Sequence, residues 1–171
     1  MANHYTMAAF ELEVTTAEAA LLMECVEVAA DLEDGDNGPE RYDLTSGTFK
    51  QSFPLQEGND DPFASFKAMF DDPDFTIFGC EIGIEEHEDG KRAYFTGENM
   101  DISAVANLIQ AVCKSALPFG FQWANTCDKM RYDEFGGGYA VITDKDIIIE
   151  TTGELLDRKL QFAQLIASER Q

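Results

Sequence analysis

The chain has 171 residues, 44% of them hydrophobic, which is typical of one globular domain and excludes a disordered chain. Its formal net charge of −21 disfavours direct binding to nucleic acid or to an anionic membrane surface. No apolar stretch approaches the roughly 18–20 residues that cross a bilayer, so we expect a single domain over residues 1–171 and no membrane contact.

The negative charge is concentrated in the first half of the chain. Residues 1–90 contain 22 acidic and 3 basic residues, a net charge of −19, whereas residues 91–171 contain 11 acidic and 9 basic residues, a net charge of −2. Solubility or salt adaptation would distribute acidic residues evenly, so the asymmetry favours a basic protein partner. An acidic face that is only solvated is the alternative interpretation.

The first predicted elements are a strand and an acidic helix. Residues 4–14 alternate between apolar and polar, which predicts a half-buried strand. Thr15 and Glu18 form a capping box, which predicts the start of a helix. Like charges at helical spacing cost a few tenths of a kcal/mol per pair, so we expect the row on the polar face to serve solvation or a partner. This row consists of Glu24, Glu27, Asp31 and Asp34.

Residues 35–74 form an irregular insert in which aromatic residues alternate with Asp, Gly, Asn and Pro. Asp61 followed by Pro62 predicts a short helix, and three phenylalanines at helical spacing predict its buried face. These are Phe63, Phe66 and Phe70. A connection of this length suggests either function or mobility.

The predicted partner surface combines the acidic helix with the insert. Charge steers the encounter, while lasting affinity usually comes from a few desolvated anchors. Tyr42 and Phe49 lack helical spacing, so we expect one of them to be partly exposed and to contact the partner; the alternative is that both pack under the insert. The predicted partner-binding residues are Glu24, Glu27, Asp31, Asp34, Asp36, Tyr42, Phe49, Asp60 and Asp61.

The next part of the chain has a regular pattern. Alternation from Phe75 predicts a hairpin with a two-residue turn at Asp89-Gly90. Asp101 or Asn99 caps a nearly uncharged helix, which we expect to be the most buried one. A further strand is predicted over residues 119–131.

The C-terminal part predicts a second hairpin and a last helix. Three glycines at residues 136–138 are expected to form a bulge or a wide hairpin loop. Strands follow on both sides of a turn at Asp144-Lys145, and Thr151 with Glu154 forms a second capping box. The whole order predicts an α+β fold with a mostly antiparallel sheet of five or six strands and helices packed on one face.

No residue pattern indicates an active site, so we expect no enzymatic activity, no cofactor and no metal. Neither His4 nor His87 has a ligand at helical or hairpin spacing. A calcium loop that begins at Asp34 would lack an acidic residue at its fifth position and would have Thr45 where an EF-hand needs a bidentate Glu. Cys127 is the only thiol in a polar setting, but no histidine is near it in sequence. We expect all the cysteines to be reduced, as in a cytoplasmic protein. An enzyme with an unrecognised site is the alternative from another class.

Two segments carry a resemblance to known proteins. Trp-Ala-x-Thr-Cys at residues 123–127 is followed by Glu-Phe-Gly-Gly-Gly at residues 134–138 and a strand ending in Thr143, and His4-Tyr5-Thr6 precedes a strand and a capped acidic helix. This pattern resembles an uncharacterised family of small acidic proteins of phages, plasmids and bacterial genomes. The likeness covers the C-terminal half well, the first 30 residues loosely and the insert not at all. It implies a mobile-element setting and no mechanism.

In that setting, the charge predicts an inhibitor that masks the basic nucleic-acid-binding surface of a bacterial defence protein, of the anti-restriction or anti-CRISPR type. A duplex carries one charge per ~1.7 Å, so 19 charges match about 32 Å of DNA, close to one face of a globule of this length. The alternative is an immunity or antitoxin protein that neutralises a basic nuclease or toxin. In both cases the expected partner is a basic protein in the bacterial cytoplasm.

Overall fold

Within the residues that the structure describes, six strands form one antiparallel sheet. The computed structural model describes residues 2–130 and 134–169, the last two by their backbone alone. The strands lie in the order β2-β3-β1-β4-β5-β6, which confirms the predicted α+β fold and strand number. They are β1 (His4–Val14), β2 (Glu81–His87), β3 (Gly90–Gly97), β4 (Phe119–Cys127), β5 (Gly136–Ile142) and β6 (Ile147–Thr151).

Both predicted capping boxes begin helices. The Thr15 backbone N–H donates to Glu18 Oε2 at 2.8 Å, and the Thr151 backbone N–H donates to Glu154 Oε2 at 2.9 Å. Asp101 rather than Asn99 caps the central helix, where it accepts from the Ala104 N–H at 2.9 Å. The helices are α1 (Thr16–Glu33), α2 (Pro39–Leu44), α3 (Gly47–Ser52), α4 (Ala64–Lys67), α5 (Ile102–Val112) and α6 (Thr152–Glu169). Among the described helices, none combines the length and apolarity needed to span a bilayer.

The hydrophobic core lies against one face of the sheet. On β1 the buried Ala8, Leu12 and Val14 alternate with exposed residues, as the sequence predicted. The core includes most of α5, which is the most buried of the described helices. Its fully buried side chains are Ala104, Val105, Ala106, Leu108 and Ile109.

The insert is an ordered aromatic cluster rather than an irregular connection. Tyr42 on α2 and Phe49 on α3 are only 5% and 0% exposed, so the prediction that one of them reaches a partner is wrong. Each helix has six residues, too few to repeat an apolar spacing that sequence reading could detect. The Phe49 ring lies 5.0 Å from Phe53 and 5.4 Å from Phe66, and the Tyr42 hydroxyl donates to the Phe53 carbonyl at 2.9 Å.

Local boundaries differ from the prediction at the insert and the first hairpin. Helix α4 begins two residues after Pro62, and Asp61 instead caps the preceding turn by accepting from the Phe63 N–H at 2.9 Å. The first hairpin turns at Glu88-Asp89, because Gly90 already pairs with His87. Strand β2 begins only at Glu81. Both shifts are of one or a few residues and leave the order of elements unchanged.

The three glycines lie within β5, so the predicted bulge or loop there is wrong. Gly138 pairs with Trp123 across the sheet, and a Cβ atom on Gly138 would lie 2.4 Å from the Trp123 ring. A Cβ atom on Gly137 would lie 2.3 Å from the Trp123 carbonyl oxygen. Glycine is therefore required because β5 approaches β4 too closely for a side chain. The strand predicted over 119–131 ends at Cys127, and Arg131 lies outside the described residues.

Candidate functional site

The two strands from the acidic first half of the chain lie in the same half of the sheet. Residues 1–90 supply β1, β2 and α1–α4, and β2 and β1 lie in the same half of the sheet, on either side of β3. Helix α1 contacts β2, β3 and α3, so the acidic elements are neighbours. Of the 22 acidic side chains in this part, 18 are exposed; the other four are Glu18, Glu24, Asp31 and Asp61.

The acidic row on α1 also attaches the insert to the helix. Arg41, whose side chain is only 10% exposed, donates to Asp31 at 2.7 Å and lies 3.7 Å from Glu27. Glu24 accepts from both the backbone N–H and the hydroxyl of Ser46 at 2.6 Å. Ser46 is in turn the N-cap of α3. The row is thus not reserved for solvent or a partner, because two of its members bind the insert closely.

The three basic residues within residues 1–90 are all bound internally. Arg41 pairs with α1, Lys67 donates to Asp61 at 2.7 Å, and Lys50 donates to the Asp43 carbonyl at 2.8 Å. Asp61 is therefore committed to the insert. Four of the predicted acidic site residues remain exposed on this side: Glu27, Asp34, Asp36 and Asp60.

A cleft of about 700 Å³ lies at the Val14 end of β1 and is lined by charged residues of β1 and β3. Its cations are already paired. Arg92 contacts Glu11 at 3.1 Å and Asp89 at 3.2 Å, and Lys91 pairs with Glu86. The two basic residues that line this cleft, Lys91 and Arg92, are therefore both in ion pairs, so neither is available unpaired to an anionic ligand.

A second cleft, of about 460 Å³, lies at the opposite end of β1 and is lined by His4 and Glu134. Cys127 lies next to these two residues, and all three residue types bind metals. His4 is directly opposite Cys127 in the register of β1 and β4. His4 Nδ1 lies 2.8 Å from Glu134 Oε2, just before β5. The ligand atoms of all three side chains lie within 4.8 Å of one another.

This cluster has no local sequence signal, because His4 begins β1, Cys127 ends β4 and Glu134 lies just before β5. His4 has no ligand at helical or hairpin spacing and Cys127 has no histidine near it in sequence, but the fold brings His4, Cys127 and Glu134 together in space. Both strands were predicted, but the pairing of the first strand with the fourth was not. Knowledge of this pairing would place His4 beside Cys127, because His4 begins β1 and Cys127 ends the antiparallel β4.

The other cysteines have a different environment. All four cysteines are free thiols, and Cys25 and Cys113 are buried in the core. Burial raises the pKa of Cys113 to about 12 and that of Cys80 to about 12, so these thiols stay protonated at neutral pH. Cys127 is half-buried at the end of β4, beside an imidazole and a carboxylate.

Comparison of the chain with protein-family models, curated proteins and solved structures gives no significant match. Residues of several separate segments of the chain line the second cleft. His4, Tyr5 and Thr6 form one wall, and residues 134–137 form another. The acidic half and this cleft are therefore the two candidate sites, and β1 belongs to both, with its first residues at the cleft.

Proposed function

We propose that the protein binds the basic surface of a nucleic-acid-binding defence protein and inhibits it by occupying the place of nucleic acid. The observation that supports this proposal is that residues 1–90, which supply β1, β2 and helices α1–α4, carry 18 exposed acidic side chains. The inhibitor is of the anti-restriction or anti-CRISPR type, originates from a mobile element and acts in the cytoplasm of the bacterial host.

The rigidity of the insert supports the same proposal. Its exposed carboxylates are attached to an aromatic cluster and, through Arg41, to α1. A surface that is already ordered loses less conformational entropy on binding, so more of the interaction energy contributes to affinity. The unbalanced charge also accelerates the encounter with a basic groove, in a manner that salt weakens.

An exposed aromatic residue of the acidic half replaces the anchors that the sequence suggested. Phe75 is 62% exposed and follows three aspartates of the insert. Aromatic residues beside charged groups are common sources of lasting affinity at interfaces. We therefore assign the anchoring role to Phe75 in place of Tyr42 and Phe49.

The test compares two variants of equal charge change in assays of DNA cleavage. One carries Asp34→Lys, Asp36→Lys and Asp60→Lys; the matched control carries Asp144→Lys, Asp146→Lys and Asp157→Lys on the neutral half. All six side chains are exposed. Purified restriction enzymes and guide-loaded CRISPR nucleases serve as targets. For a target that is inhibited, the first variant should associate at least about tenfold more slowly and with a weaker salt dependence, while the control stays close to wild type.

A third variant, Phe75→Ala, should mainly accelerate dissociation, because it removes a contact made after the encounter. Equal slowing of association by the two charge variants would contradict a specific acidic surface. Failure to inhibit any defence nuclease, together with inhibition of a toxin nuclease, would favour the immunity-protein alternative instead.

A further inference from the structure

We propose that His4, Cys127 and Glu134 bind a divalent transition-metal ion of the zinc class. These residues supply one nitrogen, one sulfur and one oxygen atom, a donor set that zinc accepts. His4 and Glu134 line the second cleft, and the Cys127 sulfur lies within 4.8 Å of their ligand atoms. The inference is independent of the proposed inhibitory function.

The spacing of the three groups suits a tetrahedral ion. Bond lengths of about 2.0–2.3 Å place tetrahedral ligand atoms about 3.3–3.8 Å apart. The three candidate atoms lie within 4.8 Å of one another, and His4 Nδ1 is 2.8 Å from Glu134 Oε2. Shifts of up to about an ångström, apart for this pair and together for a wider one, bring the atoms to tetrahedral distances. The ion would take the place of the direct contact between His4 and Glu134, now at 2.8 Å.

The backbone holds the ligands on both sides. Beyond the His4–Cys127 pair, the Asn3 N–H donates to the Asp128 carboxylate at 3.0 Å, and the Asp128 N–H donates to the Asn3 carbonyl at 3.1 Å. On the other side of the His4–Cys127 pair, Tyr5 pairs with Thr126. The two ligands therefore occupy a continuous paired segment rather than a frayed strand end.

The glycines of β5 explain how the third ligand reaches the site. Gly136 pairs with Asn125, so Glu134, two residues earlier, lies level with Cys127, two residues later on β4. The close approach of β5 to β4 requires glycine at position 137, where a side chain would collide with the Trp123 backbone. The glycine run thus brings the Glu134 carboxylate beside the thiol.

The donor set also decides which ions are selected. Imidazole and thiolate favour zinc and related transition metals, whereas magnesium and calcium prefer oxygen ligands alone. Three protein ligands leave a fourth tetrahedral position for water or another small ligand, as in open zinc sites.

The first experiment titrates the apo protein, prepared with a chelator, with Co²⁺ and then with Zn²⁺ in excess Mg²⁺. The Mg²⁺ occupies surface carboxylates, so the remaining binding reports nitrogen and sulfur ligands. We expect one Co²⁺ per chain, a thiolate-to-cobalt charge-transfer band and the intense visible bands of four-coordinate cobalt, all displaced by Zn²⁺. Cys127→Ser should abolish the charge-transfer band, and His4→Gln and Glu134→Gln should each weaken binding at least about tenfold.

The chain offers a matched control for the histidine. His87 Nε2 lies 3.5 Å from a Glu85 carboxylate oxygen, and none of the described residues adds a thiol to form a second three-ligand cluster there. His87→Gln should therefore leave cobalt binding unchanged. Equal loss of binding in His87→Gln and His4→Gln, or an unchanged spectrum in Cys127→Ser, would overturn the proposal. Circular dichroism of each variant separates loss of the ligand from loss of the fold.

The second experiment measures alkylation of Cys127 by iodoacetamide, followed by peptide mass spectrometry. A bound zinc ion should slow alkylation of Cys127, and His4→Gln should remove this protection. Alkylation that is fast in the wild type, slow in His4→Gln and insensitive to zinc would overturn the metal site and indicate a thiol activated by the imidazole.

Discussion

The insert and the C-terminal helix contain similar apolar residues but use them in opposite ways. Three short helices of the insert bury their aromatic side chains in one cluster. Helix α6 has three times as many residues as α2, yet Leu156, Leu160 and Phe162 on it are at least half exposed. Apolar periodicity therefore predicts that a helix forms, while burial depends on whether a neighbouring element covers it.

The two regions also differ in how they use ion pairs. In the acidic half Arg41 contacts the carboxylates of Glu27 and Asp31 and is almost enclosed between α1 and the insert. In the neutral half Arg158 contacts Glu150 at 2.6 Å but keeps 59% of its side chain exposed. Enclosed pairs of the first kind fix the relative position of two elements, whereas exposed pairs contribute little.

The largest expected effect comes from breaking the aromatic cluster. Phe49→Ala should lower the free energy of unfolding by about 3–5 kcal/mol, because it removes a fully buried ring and leaves a cavity. Phe162→Ala on α6 is the matched control and should change it by less than about 0.5 kcal/mol. Urea denaturation of both variants measures the difference. Similar values for the two would remove the distinction between a packed insert and an uncovered helix.

A smaller effect should follow from removing the enclosed cation. Arg41→Gln should cost about 1–3 kcal/mol, because Asp31 and Glu27 lose their partner beside other acidic residues. Adding Asp31→Asn should recover part of this loss, since it removes the uncompensated carboxylate. Arg158→Gln should cost less than about 1 kcal/mol. Denaturation of the four proteins at low salt gives these values, and equal costs for the two arginines would contradict the role assigned to Arg41.

Most elements of the fold could be predicted because their signals are local. The capping boxes at Thr15 and Thr151, the alternation of the first strand and the uncharged central helix each depend on residues that are close in sequence. The position of the three glycines could not be predicted, because their close contact is with Trp123 on another strand. Local patterns determine which elements form, and contacts between distant segments determine how they pair.

The candidate sites were less predictable for the same reason. The charge asymmetry could be read from the sequence, but the use of Glu24 and Asp31 to hold the insert depends on Ser46 and Arg41 reaching α1. The cluster at His4 requires the pairing of β1 with β4. Tyr42 was misassigned because a six-residue helix contains too few turns to show a periodic pattern.

The two capping boxes provide the finest comparison of the two regions, because they have the same residue pattern and different surroundings. Glu18 also accepts from the Ser115 N–H at 2.7 Å and from the Ser115 hydroxyl, so it links the start of α1 to the turn after α5. Burial by itself would raise the pKa of Glu18, but the hydrogen bonds from Ser115 and Thr15 outweigh it and lower the pKa. The pKa of Glu154 is also lowered, and the largest causes are its hydrogen bonds from the backbone N–H and the hydroxyl of Thr151.

A carboxylate whose pKa is lowered by folding stabilises the protein above its unfolded pKa, and this contribution is lost as the pH falls through the folded value. Glu18→Gln should therefore lower the free energy of unfolding by about 1 kcal/mol near neutral pH, after allowance for solvent screening. This difference from wild type should shrink once the pH falls below 4.5, the ordinary pKa of a glutamate. Glu154→Gln should have a smaller effect with the same pH trend, because it frays only the start of α6. Urea denaturation at about pH 7 and about pH 3.5 tests this, since subtracting wild type at each pH cancels the shared effect of net charge. A difference for Glu18→Gln that grows on acidification would mean that Ser115 does not bind the ionised carboxylate.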